Sequence, residues 1–393
     1  MNSPENNKIP PLKTFTNFVT NLSKKLSSCT QSTSDIANSA LIAIKTKNKK
    51  KLFEICESGL PDDLQILRAF IWKINLDYLS LDITKWDDIL TKKREEYKIY
   101  KNLIKSKLEK ELETKEYTSK EILEQIIKDV YRTNTQFSFF FQPTDKNKNF
   151  NKEEIINIYK KRKNWDFSNI EEVYKYDNFE NETHADVLTR ILFTYSFIIK
   201  DVSYHQGMNE ILAPLYYTFS YDKLYLEESE ENIEADSFWC FLFLMNGLKN
   251  NFNEDQEGLF NKSKILEECL KIVDINIFNE LEKKNVKCEL FCLRWFIVLF
   301  GQDFEMSDIL RIWDFIFCFE NKNYLLVYIC LAVISLRKDI IINGEMNEIL
   351  QGFQNLRDLL CDDVVFLAIN IRNKWKDKLD PIINNISGIL YKY

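Results

Sequence analysis

The sequence has little glycine, proline or histidine. Its 393 residues include eight glycines, seven prolines and two histidines. A sheet-rich protein of this length needs more residues that reverse the chain, so the composition argues against a β-fold. Nine cysteines are present without a Cys-x-x-Cys pair, and two histidines are too few for an ordinary zinc site. We expect most thiols to be small buried apolar groups in a reducing compartment.

Long apolar runs are missing as well. The longest uncharged one, residues 324–336, has thirteen residues, whereas a membrane-spanning helix needs about 20. No secretory signal is visible, so we expect a cytoplasmic protein, with a peripheral location on endomembranes left open. Residues 1–51 carry a net charge of about +7 and the remainder about −14, which argues against nucleic-acid binding by the main domain.

Apolar residues recur at helical spacing along most of the chain, without an alternating strand pattern or an internal repeat. We therefore predict an all-α fold with a single large helical domain over residues 46–378. Long surface insertions are expected at about 142–182 and 222–236, and a C-terminal extension at 379–393. Residues 1–45, rich in Lys, Ser, Thr and Asn, are predicted to be a mobile tail. Two interpretations of this tail stay open: a solvated segment, or a basic segment that contacts an anionic membrane.

Gln206 and Gly207 stand at a break between two helices. Apolar residues at i, i+3, i+4 and i+7 indicate one helix before them, at 188–199, and another after them, at 208–219. Gly207 allows the backbone to turn without a Cβ penalty. Gln206 belongs to neither apolar stripe, so its amide either caps a helix end or points outward.

Arg132 has a similar position. A Thr118-x-x-Glu121 capping box predicts a helix that ends near Arg132, three residues after Asp129. An arginine there is favourable at a helix C-terminus and can pair with Asp129. Together with Gln206, however, it indicates the chemistry of GTP hydrolysis. A guanidinium neutralises charge on phosphoryl oxygens, and a carboxamide orients the attacking water.

The chain resembles the TBC domain family of GTPase-activating proteins for Rab GTPases, because it contains three motifs of that family in the family's order. The motifs are Arg-x3-Trp, Ile-x2-Asp-x2-Arg and Tyr-x-Gln-Gly-Met, found here as Arg68, Trp72, Ile126, Asp129, Arg132, Tyr204, Gln206, Gly207 and Met208. A later stretch also looks like that family, with Arg294, Trp295, Arg311, Trp313 and Asp314. The resemblance spans roughly residues 50–375, and the segments QGMNEIL and EADSFWCF are similar to the member 13 branch of the family.

The resemblance implies a helical domain with a groove for a GTP-bound Rab GTPase. Arg132 would be the arginine finger and Gln206 the glutamine finger, both supplied in trans. Asp129 would hold the Arg132 rotamer. The glutamine turn would be supported by Tyr204, Gly207 and Met208.

The resemblance also implies residues with a purely structural role: Arg68, Trp72, Arg311, Trp313 and Asp314. The chain would be a GTPase activator without an independent active site. It would need no cofactor of its own, because GTP and Mg²⁺ belong to the partner GTPase. Its biological role would lie in vesicle traffic.

Three other functions are compatible with parts of the pattern. One is a TBC domain that binds a GTPase as a silent scaffold, which has no need of both Arg132 and Gln206. Another is a helical adaptor, against which the missing repeat counts. A third is a Cys–His hydrolase, but no nucleophile elbow is present and nothing pairs His184 or His205 with a nucleophile.

Overall fold

The computed structural model describes residues 13–133, 138–144, 157, 174, 182–200, 202–226, 228–252, 257–319 and 321–387. These residues form α-helices joined by loops and short 3-10 turns, and apart from one isolated bridge no strand occurs among them. The all-α prediction is confirmed.

The helices up to the middle of the chain are α1 (Lys13–Leu26), α2 (Gln31–Lys45), α3 (Lys49–Ser58), α4 (Gln65–Asn75), α5 (Trp86–Thr114), α6 (Lys120–Val130), α7 (His184–Ile198), α8 (Met208–Leu226) and α9 (Glu230–Leu248). The later helices are α10 (Glu257–Val273), α11 (Ile275–Lys283), α12 (Glu289–Val298), α13 (Met306–Phe317), α14 (Lys322–Leu336), α15 (Lys338–Asn343), α16 (Met346–Gln354) and α17 (Cys361–Ser387).

The most deeply buried helix of the C-terminal half is α14. Its residues from Asn323 to Ile334 are all buried, and it packs against α10, α12, α13 and α17. The thirteen-residue apolar run is thus a core helix, as its length predicts. Among the described residues, no helix combines the length and apolar character needed to cross a membrane. All nine cysteines are free and seven are buried, so most thiols are core groups as expected.

The N-terminal segment is folded, which corrects the predicted mobile tail at residues 1–45. Its described part forms α1 and α2, and α1 packs against α4, α5 and α8. Phe15 and Phe18 are buried, and the Phe18 ring stacks on Phe70 with centroids 4.2 Å apart. The apolar residues of α1 recur at helical spacing within a Ser- and Lys-rich composition, so their periodicity is the better guide. Residues 1–12 lie outside the described residues.

The acidic segment 222–236 is not a surface insertion, because most of it belongs to α8 and α9. Glu234 lies in the core and accepts from Arg190 at 2.7 Å, and Asp236 accepts from Lys73 at 2.8 Å. Burial disfavours the charged carboxylate, but the charges of Arg190 and Lys101 and the hydrogen bonds from Arg190 and Tyr97 together outweigh burial and lower the pKa of Glu234 to about 2. The acidic composition indicated solvent exposure, whereas each of these carboxylates is buried with a cationic partner.

The predicted insertion at 142–182 has its two ends side by side. Pro143 forms an isolated bridge with Thr183, and the Thr144 N–H donates to the Glu182 carbonyl at 2.9 Å. Most of the residues between these ends lie outside the described residues. The two ends of the segment are therefore adjacent, so its length does not separate the elements on either side.

The last helix, α17, continues through the domain boundary predicted at residue 378. Leu379 and Ile383 are buried beyond that point, and the Tyr324 hydroxyl donates to the Asp380 carboxylate at 2.6 Å. The segment predicted as a C-terminal extension is therefore part of the domain as far as α17 reaches. The final residues of the chain lie outside the described residues.

Candidate functional site

Arg132 lies in a turn directly after α6. The apolar side of α6 is buried against α7. The chain then turns, because the backbone N–H groups of Arg132 and Thr133 both donate to the Asp129 carbonyl at 3.0 Å. The Arg132 side chain is exposed, and no carboxylate in the described part of the chain forms an ion pair with it. Among the described residues its guanidinium therefore has no anionic partner.

Gln206 lies in the loop that leads into α8. Gly207 has φ +103°, and a Cβ added there would lie 3.1 Å from the Val298 side chain. Both facts favour glycine, since other residues are strained at this φ and the space is filled. Met208, the first residue of α8, is fully buried and its sulfur accepts from the His205 N–H. Gln206 itself is exposed, between this buried anchor and the preceding loop.

Tyr204 joins the two loops. Its hydroxyl donates to Asp129 Oδ2 at 3.0 Å and also lies 3.1 Å from Asn209 Oδ1. Burial raises the pKa of Asp129, although the Tyr204 hydrogen bond and the Arg132 charge both lower it. Burial and the neighbouring Asp129 carboxylate raise the pKa of the Tyr204 phenol, which therefore stays protonated and keeps its role as donor. The Asp129 carboxylate thus bonds the base of the Gln206 loop, and its proposed effect on the Arg132 rotamer stays a prediction.

Asn209 is a residue of the site that the sequence motifs did not identify. Its Oδ1 accepts from the Gly207 N–H at 3.1 Å, and its Nδ2 donates to Thr133 Oγ1 and, at 3.4 Å, to the Asp129 carbonyl. It is buried, and its amide contacts both loops. The available signal was an amide placed directly after buried Met208 in the first turn of the helix.

Glu210 is a buried carboxyl behind the Gln206 loop. Burial, helped by the charges of Asp129 and Asp303, raises the pKa of Glu210 to about 7. Its Oε1 accepts from Gln302 Nε2 at 3.2 Å, which partly offsets that rise. This carboxyl therefore titrates near neutral pH next to the Gln206 loop.

The Arg-x3-Trp motif lies in the core. Arg68 donates through Nε and Nη2 to the Asp314 carboxylate at 3.1 Å, and Trp72 Nε1 donates to it at 2.8 Å. The Leu60 N–H and carbonyl complete the cluster at 3.3 and 2.8 Å. The side chains of Arg68, Trp72 and Asp314 are fully buried, so none of them is available to a partner protein.

Two further residues of the later stretch, Arg311 and Trp313, lie on α13. Trp313 is fully buried and donates to the Leu299 carbonyl at 2.9 Å. Arg311 contacts Asp362 at 3.1 Å and the Glu57 carbonyl at 3.2 Å. These contacts connect α13 to α3 and α17 and do not include Arg132 or Gln206.

The chain has sequence relatives among known proteins. The family model of the Rab-GTPase-TBC domain matches residues 144–342, a span that contains Gln206 and begins after Arg132. TBC1 domain family member 13 of Homo sapiens is 31% identical over 353 residues, covering 75% of this chain and 87% of that protein. The GTPase-activating protein GYP1 of Saccharomyces cerevisiae is 23% identical over 284 residues, covering 68% of this chain and 37% of that protein. The similarity to the member 13 branch is confirmed.

Solved structures share the fold. The Ypt/Rab-GAP domain of Gyp1p superposes with a TM-score of 0.63 at 21% identity, covering 84% of this chain and 93% of that one. The Chlamydomonas flagellar RabGAP TBC domain gives a TM-score of 0.53 at 16% identity, with 88% and 96% covered. The match of the family model over half of the chain, together with the relative that is 31% identical, shows that this chain belongs to the Rab-GTPase-TBC domain family.

Proposed function

We propose that the chain is a GTPase-activating protein that binds a GTP-bound Rab-family GTPase and supplies Arg132 and Gln206 to it in trans. One observation carries the proposal. Arg132 and Gln206 are exposed at the ends of two loops whose bases are joined by the buried Tyr204–Asp129 hydrogen bond. Two exposed polar side chains on a rigid common base suit a nucleotide presented by another protein. Membership of the family, and the similarity to a yeast protein named as a GTPase-activating protein, are consistent with this function.

Each finger has a defined task in the proposed mechanism. The Arg132 guanidinium neutralises charge that develops on the phosphoryl oxygens, an effect that is typically about 10³–10⁵ in rate, or roughly 4–7 kcal/mol. The Gln206 carboxamide accepts from and donates to the attacking water and the phosphate without adding a charge. GTP and Mg²⁺ belong to the GTPase. The chain is therefore an activator without a cofactor or a reaction of its own.

Phosphate release from a panel of GTP-loaded Rab GTPases tests the proposal. Arg132→Ala should lose activation by about 10³-fold or more and Gln206→Ala by about 10²-fold, while both fold normally because the side chains are exposed. Arg132→Lys should also fail, since an ammonium lacks the planar fork. Arg357→Ala and Gln31→Ala, two exposed positions on other helices and loops, are the matched controls.

Two outcomes contradict parts of this proposal. A protein that binds Rab GTPases but stimulates none of them is the silent scaffold, the alternative function. Stimulation that survives both Arg132→Ala and Gln206→Ala excludes the dual-finger mechanism while leaving an activator of another kind.

The proposed setting is the surface of a trafficking membrane. We propose a peripheral contact because the N-terminal helices expose several lysines, among them Lys24, Lys45 and Lys50. Binding to vesicles that contain phosphatidylserine would support this contact if it is lost in 0.5 M salt, where the Debye screening length is about 4–5 Å. Equal binding to neutral vesicles would contradict an electrostatic contact.

A further inference from the structure

Asn209 is bonded to both finger loops at once. Its Oδ1 accepts from the Gly207 N–H at 3.1 Å on the Gln206 side, and the Tyr204 hydroxyl, which donates to Asp129, lies 3.1 Å from the same oxygen. Its Nδ2 donates to Thr133 Oγ1 and to the Asp129 carbonyl on the Arg132 side. An amide has both acceptor sites and donor hydrogens, so this one side chain bonds both loops at once.

The contacts of Asn209 are sealed from water. Asn209 is 4% exposed and Thr133 1% exposed, and Tyr204 and Asp129 are buried beside them. A hydrogen bond lost here is not replaced by solvent, and the group left behind bears the full cost of desolvation. The linkage is therefore stiff, whereas the two side chains that it carries are exposed.

Thr133 is the counterpart of Asn209 on the Arg132 loop. Its hydroxyl donates to the Asp129 carbonyl at 3.0 Å and accepts from Asn209 Nδ2. The residue directly follows Arg132, so the position of this hydroxyl fixes the end of the turn that carries the guanidinium. Gly207 directly follows Gln206, and its N–H is fixed by the same amide.

We propose that Asn209 is a positioning residue that holds the Arg132 and Gln206 loops at a fixed separation, so that the two fingers act on one phosphate as a unit. The proposal rests on the proposed function. Asn209 is buried, and it acts through the residues adjacent to the fingers. Loosening either end of the amide moves the opposite loop.

The first test measures the linkage without any GTPase. Thr133→Val removes the hydroxyl at nearly constant volume, and Thr133→Ser keeps it. Hydrogen–deuterium exchange of the peptide around Gly207, on the opposite loop, should become about tenfold faster in Thr133→Val, the factor expected for a lost buried hydrogen bond. In Thr133→Ser it should stay as in the wild type. Thr189→Val is the matched control, because Thr189 is equally buried and, within the described part of the chain, its hydroxyl bonds only the Ala185 carbonyl one turn earlier.

The second test measures positioning in the reaction. Thr133→Val and Asn209→Asp should lower the maximal rate of Rab-stimulated phosphate release about tenfold, while affinity for the GTP-bound Rab stays unchanged. In a Gln206→Ala background the Thr133→Val effect should shrink, since the finger it positions is gone. Thr189→Val and Thr133→Ser should leave both quantities unchanged.

The results that overturn the proposal are distinct from those that overturn the proposed function. Unchanged exchange at Gly207 in Thr133→Val means that the loops are not linked through Asn209. A rate loss of equal size in Thr189→Val means a general loss of stability. A wild-type protein that stimulates no Rab contradicts the proposed function, and the exchange result still decides whether Asn209 links the loops.

Discussion

The hydroxyl group of Tyr204 donates a hydrogen bond to the Asp129 carboxylate over 3.0 Å. The two residues are 75 positions apart in the chain, and each lies three or fewer positions from an exposed finger residue. One buried bond thus brings together the second and third sequence motifs. It also gives Asp129 a partner on the opposite loop, whereas the sequence suggested that Asp129 pairs with Arg132 at the end of the same helix.

Tyr204→Phe removes this bond and leaves the ring in place. We expect the free energy of unfolding to fall by about 1.5–3 kcal/mol, the usual contribution of a hydrogen bond to a charged group. Rab-stimulated phosphate release should fall by about tenfold or more. Chemical denaturation and single-turnover hydrolysis measure the two effects. Tyr100→Phe, whose ring packs against Phe238 and Trp239, is the control; full activity of Tyr204→Phe would contradict the role of the bond.

Glu210→Gln should change how stability depends on pH. The pKa of Glu210 is about 7 in the folded protein and about 4.3 when unfolded. The folded state therefore binds more protons between these values, and its stability falls as pH rises through that range, by roughly 4 kcal/mol in total. The neutral glutamine avoids this loss, so the variant should match the wild type near pH 5 and exceed it at pH 8.

Urea denaturation at both pH values measures the Glu210 effect. Glu268→Gln, at an exposed position, is the control; the difference in its free energy of unfolding between the two pH values should equal that of the wild type. A Glu210→Gln protein that is less stable than the wild type at pH 8 would show that the buried carboxylate is stabilised by groups other than Gln302.

Asp314→Asn should destabilise the core. It removes the buried anionic partner of the fully buried Arg68 guanidinium and leaves Asp62, whose side chain is 70% exposed, at 3.2 Å; breaking a buried pair typically costs about 3–5 kcal/mol. Asp362→Asn is the matched control, because Asp362 pairs with Arg311 but its side chain is 81% exposed. An exposed ion pair contributes about 0–1 kcal/mol. Equal unfolding midpoints for the two variants would mean that the buried pair has no special role.

Phe18→Ala tests whether the N-terminal helices belong to the domain. Truncating a buried phenylalanine typically costs about 3–5 kcal/mol, and this ring is fully buried against Phe70. Phe366→Ala, at a phenylalanine that is 66% exposed, is the control. Thermal unfolding compares the two. If Phe18→Ala had no effect, α1 would be a dispensable tail as its composition suggested.

Much of the site was predictable from the sequence, because Arg132 and Gln206 each lie where the helical spacing of apolar residues ends. Asn209 was not, since its significance lies in contacts to Thr133 and Asp129, which are far away in the chain. The capping box at Thr118 was wrong for a similar reason. The Thr118 hydroxyl donates to Glu111 on the preceding helix, and α6 begins without a side-chain cap.

Errors in the fold came from treating polarity as exposure. The carboxylates of Glu234 and Asp236 are buried because Arg190, Lys73 and Arg94 approach from other helices. A sequence does not reveal such pairing across long separations. The lysine-rich α1 was misjudged in the same way, since three buried residues on one face are enough to attach a helix.

The paired ends of the segment between Thr144 and Glu182 have a consequence for how such chains diverge. Once its ends are fixed, a connecting segment can double in length at a cost of only about 0.6 kcal/mol of closure entropy. Insertions and deletions there leave the distance between the two finger loops unchanged. The number of residues separating the arginine and glutamine motifs is therefore under little constraint, and a search for relatives that fixes this number will miss proteins whose sites are the same.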